Sequence, residues 1–103
     1  MQAPVISVII PAYNEGGNIK KCLTAVYTVL KKLDLDWEII LVNDGSKDKT
    51  GQIAKTLAQK IPHLKVVENR PNRGYGGSLK AGFDAAKKDL IAFIPADNQF
   101  DFG

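Results

Sequence analysis

The sequence predicts an α/β fold with a Rossmann-like alternation of strands and helices, in which a parallel four-strand sheet carries helices on both faces. Four short apolar runs, rich in β-branched residues, alternate with three segments whose apolar residues have helical spacing. Runs that are apolar throughout are typical of strands buried on both faces. Strands that alternate with helices form parallel sheets through right-handed crossovers. We therefore predict the order β-α-β-α-β-α-β.

The four predicted strands are short and bounded by turn residues or proline. The first, VISVII, is apolar apart from one serine, and the second is WEIILVN. The third and fourth are LKVVE and LIAFI. The predicted strands are therefore Val5–Ile10, Trp37–Asn43, Leu64–Glu68 and Leu90–Ile94.

The three predicted helices lie between these strands. In the first, Ile19, Cys22, Leu23 and Val26 recur at the spacing of one helix face. Pro62 ends the second helix, because proline disfavours helical backbone at the residue before it. The predicted helices are Asn18–Leu33, Asp48–Ile61 and Gly77–Lys88.

Three residue types that often carry chemistry are expected to be structural in this chain. Cys22 lies on the apolar face of the first helix, and Trp37 opens the second strand, so both are predicted to pack in the core. His63 precedes the third strand, at the end of the sheet where ligands do not bind in open α/β folds. We predict a surface turn at His63.

Length, composition and charge exclude several classes of protein. A chain of 103 residues with 45% apolar and 24% charged residues is typical of one globular domain. No apolar run approaches the roughly 18 residues of a membrane span, and no basic segment opens a signal peptide. The single cysteine excludes an intrachain disulfide, which fits a reducing compartment, and we expect a cytoplasmic protein. The net charge of +3 comes with lysines scattered over the predicted helices, so we expect no nucleic-acid partner.

The loops that follow the strands are the places to look for a site, because open parallel sheets bind ligands at the carboxyl ends of their strands. Three of these loops begin close to a carboxylate, which is Glu15, Asp44 or Asp97. Unpaired carboxylates would raise each other's pKa, so the cluster is better explained by a polar ligand or a divalent cation. The simpler alternative is a structural turn at DGS, with Asp48 as a cap of the second helix.

Two common nucleotide motifs fail at the glycine-rich segment GYGGSLKAG. A dinucleotide fingerprint starting at Gly74 would have Leu79 in place of its third glycine. A P-loop starting at Gly77 would have Phe83 and Asp84 in place of lysine and serine or threonine. A glycine-rich helix start remains, whose free backbone N–H groups could meet a diphosphate.

Taken together, the four loops resemble the amino-terminal half of family 2 glycosyltransferases, which have the glycosyltransferase A fold. The segments that carry the resemblance are ISVIIPAYNE, ILVNDGSKDKT, NRGYGGSLKAGF and FIPADNQFD. They follow the four predicted strands in the family's order. The last two look most like members that glycosylate a polyprenyl or dolichyl phosphate at the cytoplasmic face of the membrane.

The resemblance implies a site for a UDP- or GDP-linked sugar. The residues that match the family's pocket for base and ribose are Pro11, Ala12, Tyr13, Glu15, Asp44 and Gly45. Those expected near the ribose and phosphates are Arg73, Gly74 and Gly77. The implied chemistry is inverting sugar transfer, in which Mg²⁺ or Mn²⁺ stabilises the diphosphate leaving group. The matching metal ligands are Asp97, which also lies beside the donor, and Gln99.

Two positions depart from the family pattern. Asn43 replaces the first acid of its Asp-Asp-Gly-Ser motif, and Pro95 replaces the first acid of its Asp-x-Asp motif. Proline could offer a metal only its carbonyl oxygen, so we expect weak metal binding without the donor. Two alternatives therefore stay open: a non-catalytic nucleotide-sugar-binding module, and a Rossmann-type oxidoreductase domain.

The resemblance also makes residues 1–103 the donor-binding part of a single catalytic domain. The acceptor part, with any general base, is expected beyond Gly103. A lipid phosphate acceptor would need no general base, unlike a sugar hydroxyl. We expect the 103-residue chain to have no transferase activity by itself.

Overall fold

The predicted alternation of strands and helices is confirmed in a computed structural model, which describes residues 5–33, 36–87 and 90–96. The seven elements are β1 (Val5–Ala12), α1 (Ile19–Leu30), β2 (Asp36–Asn43), α2 (Thr50–Ala58), β3 (Leu64–Glu68), α3 (Gly74–Ala85) and β4 (Leu90–Phe93). Within these residues, none of the helices has the length and apolar character that a membrane span requires.

All four strands are parallel, and their order across the sheet is β3-β2-β1-β4. The two central strands, β1 and β2, pair along their whole length, from Val5 with Asp36 to Ala12 with Asn43. Central strands are covered on both faces, which explains why their sequences are apolar without alternation. The four carboxyl ends lie at one edge of the sheet, so the loops that follow them are neighbours.

Helices cover both faces of the sheet, as predicted. On one face, α1 and α2 pack against Val8, Ile10, Ile39 and Leu41. On the other face, α3 packs against Ile9, Ile40 and Val42. At Gly82 an added Cβ would lie 2.3 Å from Ile9 Cγ2, so a glycine is needed for α3 to approach β1 this closely.

The predicted limits of α3 are wrong at both ends. The helix begins at Gly74 instead of Gly77, although glycine has a low helix propensity. The backbone N–H groups of Arg73 and Gly74 bond to the Asp44 carboxylate, which holds the first turn in place. At the other end, Ala86 has an extended backbone that stops the helix.

The other element limits differ by a few residues. β1 continues to Ala12, two residues further than predicted, because it stays paired with β2 up to Asn43. α1 ends at Leu30 instead of Leu33, in a turn. α2 runs from Thr50 to Ala58 instead of from Asp48 to Ile61.

The three structural predictions for individual residues are confirmed. Cys22 is buried in the cluster between α1 and the sheet. Trp37 is buried as well, and its ring centroid lies 5.8 Å from that of Tyr27 and 5.4 Å from that of His63. His63 is exposed in the turn before β3, far along the sheet from the carboxyl edge.

A buried carboxylate near the start of β2 was not singled out in the sequence. Glu38 is 4% exposed, and its Oε2 accepts hydrogen bonds from Ser7 Oγ at 2.6 Å and from the Lys87 N–H at 2.8 Å. Its Oε1 forms an ion pair with Lys65 Nζ at 2.8 Å. Burial alone raises the pKa of Glu38, but the bonds from Lys65, Ser7 and Lys87 outweigh it and lower the pKa to about 2. Glu38 thereby fastens β1, β3 and the segment after α3 to β2.

Candidate functional site

The loop after β1 is tied to the loop after β2 by three hydrogen bonds. The Asn14 N–H donates to Ser46 Oγ at 2.9 Å, and Asn14 Oδ1 accepts from the Lys47 N–H at 2.8 Å. The Gly16 N–H donates to Asp48 Oδ2 at 3.0 Å. Asp48 Oδ1 also accepts the Thr50 N–H at the start of α2, so its role combines the predicted helix cap with a link between loops. These contacts fix the two loops relative to each other.

Asp44 ties the loop after β2 to the start of α3. Its Oδ1 accepts hydrogen bonds from Asn69 Nδ2 at 2.9 Å and from the Arg73 N–H at 2.7 Å, and its Oδ2 accepts the Gly74 N–H at 2.8 Å. Burial raises the pKa of Asp44, but the bonds from Arg73, Asn69 and Gly74 outweigh it and hold the pKa below its usual range. Asp44 is therefore a buried, ionised carboxylate at the carboxyl edge.

A cavity of about 180 Å³ opens at this edge, between the loops after β1 and β4 and the first turn of α3. It brings together five residues that the sequence analysis assigned to the base and ribose pocket. They are Pro11, Ala12, Tyr13, Glu15 and Asp44. The rest of the lining comes from Tyr75, Ser78, Pro95 and Ala96. The cavity is thus a meeting point of three strand ends and one helix start.

The remaining candidate residues lie elsewhere. Gly45 has a φ of +69° and lines a neighbouring cavity of about 580 Å³ on the far side of the β2 loop. Arg73 and Gly74 contact Asp44 through their backbone, and at Gly77 an added Cβ would lie 2.3 Å from Arg73 Cβ. Gly77 therefore makes room for the Arg73 side chain. Asp97 and Gln99, the expected metal ligands, lie outside the described residues.

Tyr75 and Ser78 were missed by the sequence analysis. Both lie in the first turns of α3, and residues three apart on a helix share one face. This spacing could have identified them, but only for a helix that starts at Gly74. Because the predicted helix started at Gly77, both residues were treated as part of a glycine-rich loop.

Asn43, one of the two departures from the family pattern, has a local partner that favours an amide. Its Nδ2 donates to Glu68 Oε1 at 3.3 Å, and its Oδ1 accepts the Ser46 N–H at 3.3 Å. Gly51 on α2 lies directly over this pair, since an added Cβ would be 2.6 Å from Asn43 Nδ2. An acid at position 43 would face the Glu68 carboxylate at close range, so the replacement agrees with the presence of Glu68.

Pro95, the second departure, lines the cavity but does not direct its carbonyl into it. The carbonyl oxygen lies 3.8 Å from Sγ of the buried Cys22 and is therefore turned toward α1. The sequence analysis considered this oxygen as a metal ligand, and that suggestion does not fit its orientation. In the segments 5–33, 36–87 and 90–96, no three histidine, cysteine or acidic side chains are grouped as a metal site.

Comparison with known proteins gives the chain a family. The model of the family described as "Glycosyl transferase family 2" matches residues 7–103. The chain is 33% identical to the dolichyl-phosphate beta-glucosyltransferase ALG5A of Trichomonas vaginalis over 97 residues, which are 89% of this chain and 30% of that protein. It therefore spans about a third of the length of this relative.

Two solved structures share the fold over most of the chain. The mannosyltransferase PcManGT from Pyrobaculum calidifontis, in complex with GDP-Man and Mn²⁺, superimposes with a TM-score of 0.79 at 26% identity, covering 94% of this chain and 28% of that one. TarS 1–349 from S. aureus, in complex with UDP-GlcNAc, gives a TM-score of 0.76 at 29% identity, covering 94% and 27%. These likenesses agree with the resemblance of the four loops. The chain belongs to glycosyl transferase family 2.

Proposed function

We propose that this chain binds the nucleoside part of a UDP- or GDP-linked sugar, as the donor-binding part of a glycosyltransferase. The observation that carries the proposal is the cavity at the carboxyl edge, where five residues from two loops surround a buried, ionised Asp44. Family membership supports it, and it weighs against the oxidoreductase alternative. The two solved relatives are recorded with GDP-Man and with UDP-GlcNAc.

The cavity dimensions suit one ring of such a ligand. Its volume of about 180 Å³ is below the roughly 300–1,000 Å³ of pockets that enclose a whole drug-sized ligand. A base would enter it, with the aromatic rings of Tyr13 and Tyr75 available for stacking at the exposed rim. The ribose and diphosphate would extend outward along the start of α3, where the first N–H groups of a helix have no partner within the helix.

The transfer reaction itself would use parts beyond the described residues. Asp97 and Gln99 would hold Mg²⁺ or Mn²⁺, and the ion would neutralise the charge that develops on the leaving diphosphate. PcManGT is recorded with Mn²⁺, which supports a divalent cation here. The implied chemistry is inverting transfer, with the acceptor part beyond Gly103 in the same domain.

The acceptor and location follow from the same family evidence. ALG5A is named for a dolichyl-phosphate acceptor, which supports a lipid phosphate acceptor for the whole protein. Such an acceptor places the reaction at the cytoplasmic face of a membrane. The 103-residue chain alone would then turn over no nucleotide sugar, and turnover by it would contradict this part of the proposal.

A non-catalytic nucleotide-sugar-binding module is the second candidate, and Pro95 favours it. Neither the side chain nor the carbonyl of Pro95 is available at the position of the family's first metal-binding acid. Mn²⁺ titration of the full-length protein separates the two candidates. Catalysis predicts that donor nucleotide strengthens Mn²⁺ binding and that Asp97→Ala removes this effect.

Binding of the nucleoside is tested by titrating the 103-residue chain with UDP, GDP and NAD into the millimolar range, monitored by NMR. We expect saturable binding of UDP or GDP, weakened at least tenfold in Asp44→Asn, because the amide lacks the negative charge and one acceptor. Asp84→Asn is the matched control, since Asp84 is exposed on α3 and does not line the cavity. Absence of saturable binding by both diphosphates, or equal binding of NAD, would refute the proposal.

A further inference from the structure

We propose that the Ser78 hydroxyl reads the base in this cavity together with Asp44, and that the pair selects a ring edge with an N–H beside a carbonyl. Uracil and guanine present such an edge, whereas cytosine and adenine do not. This inference rests on the proposed function and adds to it a specificity-determining residue.

The first observation is that the Ser78 hydroxyl is buried without a partner. Ser78 is 1% exposed, and its Oγ has no hydrogen bond of normal geometry to any described residue. A buried hydroxyl without a partner costs about 1–3 kcal/mol. Alanine would fill nearly the same space and has a higher helix propensity. Packing alone therefore does not explain a serine at this position.

The second observation is where this hydroxyl lies. Ser78 lines the cavity beside Asp44, close enough to influence the carboxylate electrostatically. The lining around them is largely apolar or aromatic, including Pro11, Ala12 and Tyr13. The hydroxyl and the carboxylate are thus adjacent polar groups in a small cavity that admits one ring.

The third step is the hydrogen-bonding capacity that the pair has left. An ionised carboxylate offers about four acceptor positions, and Asp44 uses three of them for Asn69, Arg73 and Gly74. The remaining position is on Oδ2, which accepts only the Gly74 N–H. Asp44 can accept one more hydrogen bond and can donate none. The Ser78 hydroxyl can donate one.

An acceptor beside a donor fits a ligand edge with the opposite order. Uracil offers N3–H next to the C4 carbonyl, and guanine offers N1–H next to the C6 carbonyl. Cytosine and adenine offer an unprotonated ring nitrogen next to an amino group, which would face Asp44 and Ser78 with both groups mismatched. Buried polar groups left unpaired by the wrong ligand are a strong source of discrimination. The pair is therefore suited to exclude cytosine and adenine.

The test compares UDP, GDP, CDP and ADP as ligands of the wild-type chain, Ser78→Ala and the control Thr28→Ala. Thr28 carries a helix hydroxyl on α1 that does not line the cavity. We expect the wild type and Thr28→Ala to prefer UDP or GDP over CDP and ADP at least tenfold. In Ser78→Ala this preference should fall at least fivefold, through weaker binding of the preferred diphosphate.

Thermal unfolding separates a role in recognition from a structural role. Because the hydroxyl has no partner, Ser78→Ala should melt at the same temperature as the wild type or higher. A clearly lower melting temperature, or full discrimination among the four bases, would overturn the role of Ser78 while the proposed function stands. If the wild type binds none of the four diphosphates, the proposed function fails, and this inference fails with it.

Discussion

Strand β2 has a buried carboxylate at each end, and the two differ in their partners. Glu38, near its start, is paired with the Lys65 ammonium and accepts bonds from Ser7 and Lys87. Asp44, directly after its end, accepts only neutral N–H donors, and no lysine or arginine side chain of the described segments forms an ion pair with it. Both carboxylates are 4% exposed, so burial does not distinguish them.

The difference shows how a structural carboxylate can be told from one at a site. The charge of Glu38 is balanced by a cation, and its donors come from three parts of the chain that it holds together. The charge of Asp44 is stabilised but not balanced, and it lies against a cavity. A buried charge of this kind leaves a negative potential that a ligand with an N–H donor can use.

The largest expected effect is at the Glu38 end. Because the folded-state pKa of Glu38 is lowered to about 2, its stabilisation is present above its ordinary pKa of 4.5 and is lost as the pH falls toward 2. We expect this residue to account for about 3 kcal/mol of the free energy of unfolding lost over this range. Urea unfolding at a series of pH values measures it.

Glu38→Gln sharpens the same prediction. At pH 7 the variant should be less stable by about 2–3 kcal/mol, because Lys65 loses its partner and one buried donor loses its acceptor. Its stability curve should approach that of the wild type near pH 2, where Glu38 itself is protonated. Parallel curves from pH 7 to pH 2 would mean that the Glu38 charge is not the origin of the effect.

An intermediate effect is expected at the Asp44 end, and it should be local. In Asp44→Asn, the Arg73 and Gly74 amides should exchange with deuterium roughly tenfold faster, since their acceptor is weakened by about 1–2 kcal/mol. The Lys87 amide should keep its protection, and Glu38→Gln should give the reverse pattern. If both variants loosen the same amides, the two carboxylates do not act on separate regions.

The smallest effect concerns Asn43, which precedes Asp44. Asn43→Asp restores the family's acidic pair but replaces the bond to Glu68 with a contact between two carboxylates. We expect a loss of about 1 kcal/mol at pH 7, measured by urea unfolding. In the background of Glu68→Gln the loss should largely vanish. An equal loss in both backgrounds would show that Glu68 is not the reason for asparagine at this position.

Much of the fold could be predicted from the sequence because the signals are local. The apolar runs around Ile9 and Ile40 belong to central strands, and their carboxyl ends fix where the loops meet. This is why Tyr13, Glu15 and Asp44 could be named as neighbours from their positions after strands. The order of strands across the sheet was not predicted, because it depends on which edges pair.

The parts that could not be predicted depend on the register of strands or on backbone donors. The pairing of Ser7 with Glu38 requires the β1–β2 register, although a lone acid in an apolar strand signals that it needs a partner. The bonds of Asp44 go mostly to N–H groups, which have no signature in side-chain types. The start of α3 was missed because Gly74 and Gly76 have weak helix propensity, and Tyr75 and Ser78 were missed with it.

The strand order also determines when the cavity can be completed as the chain folds. β4 pairs with β1, joining residues as distant in sequence as Ile6 and Leu90. Pairings of such long range are slow to form. The cavity takes one wall from Pro11 and Ala12 and another from Pro95 and Ala96, so it closes only after this pairing. Loss of the β1–β4 pairing by partial unfolding would therefore abolish the cavity while β1, β2 and β3 could stay paired.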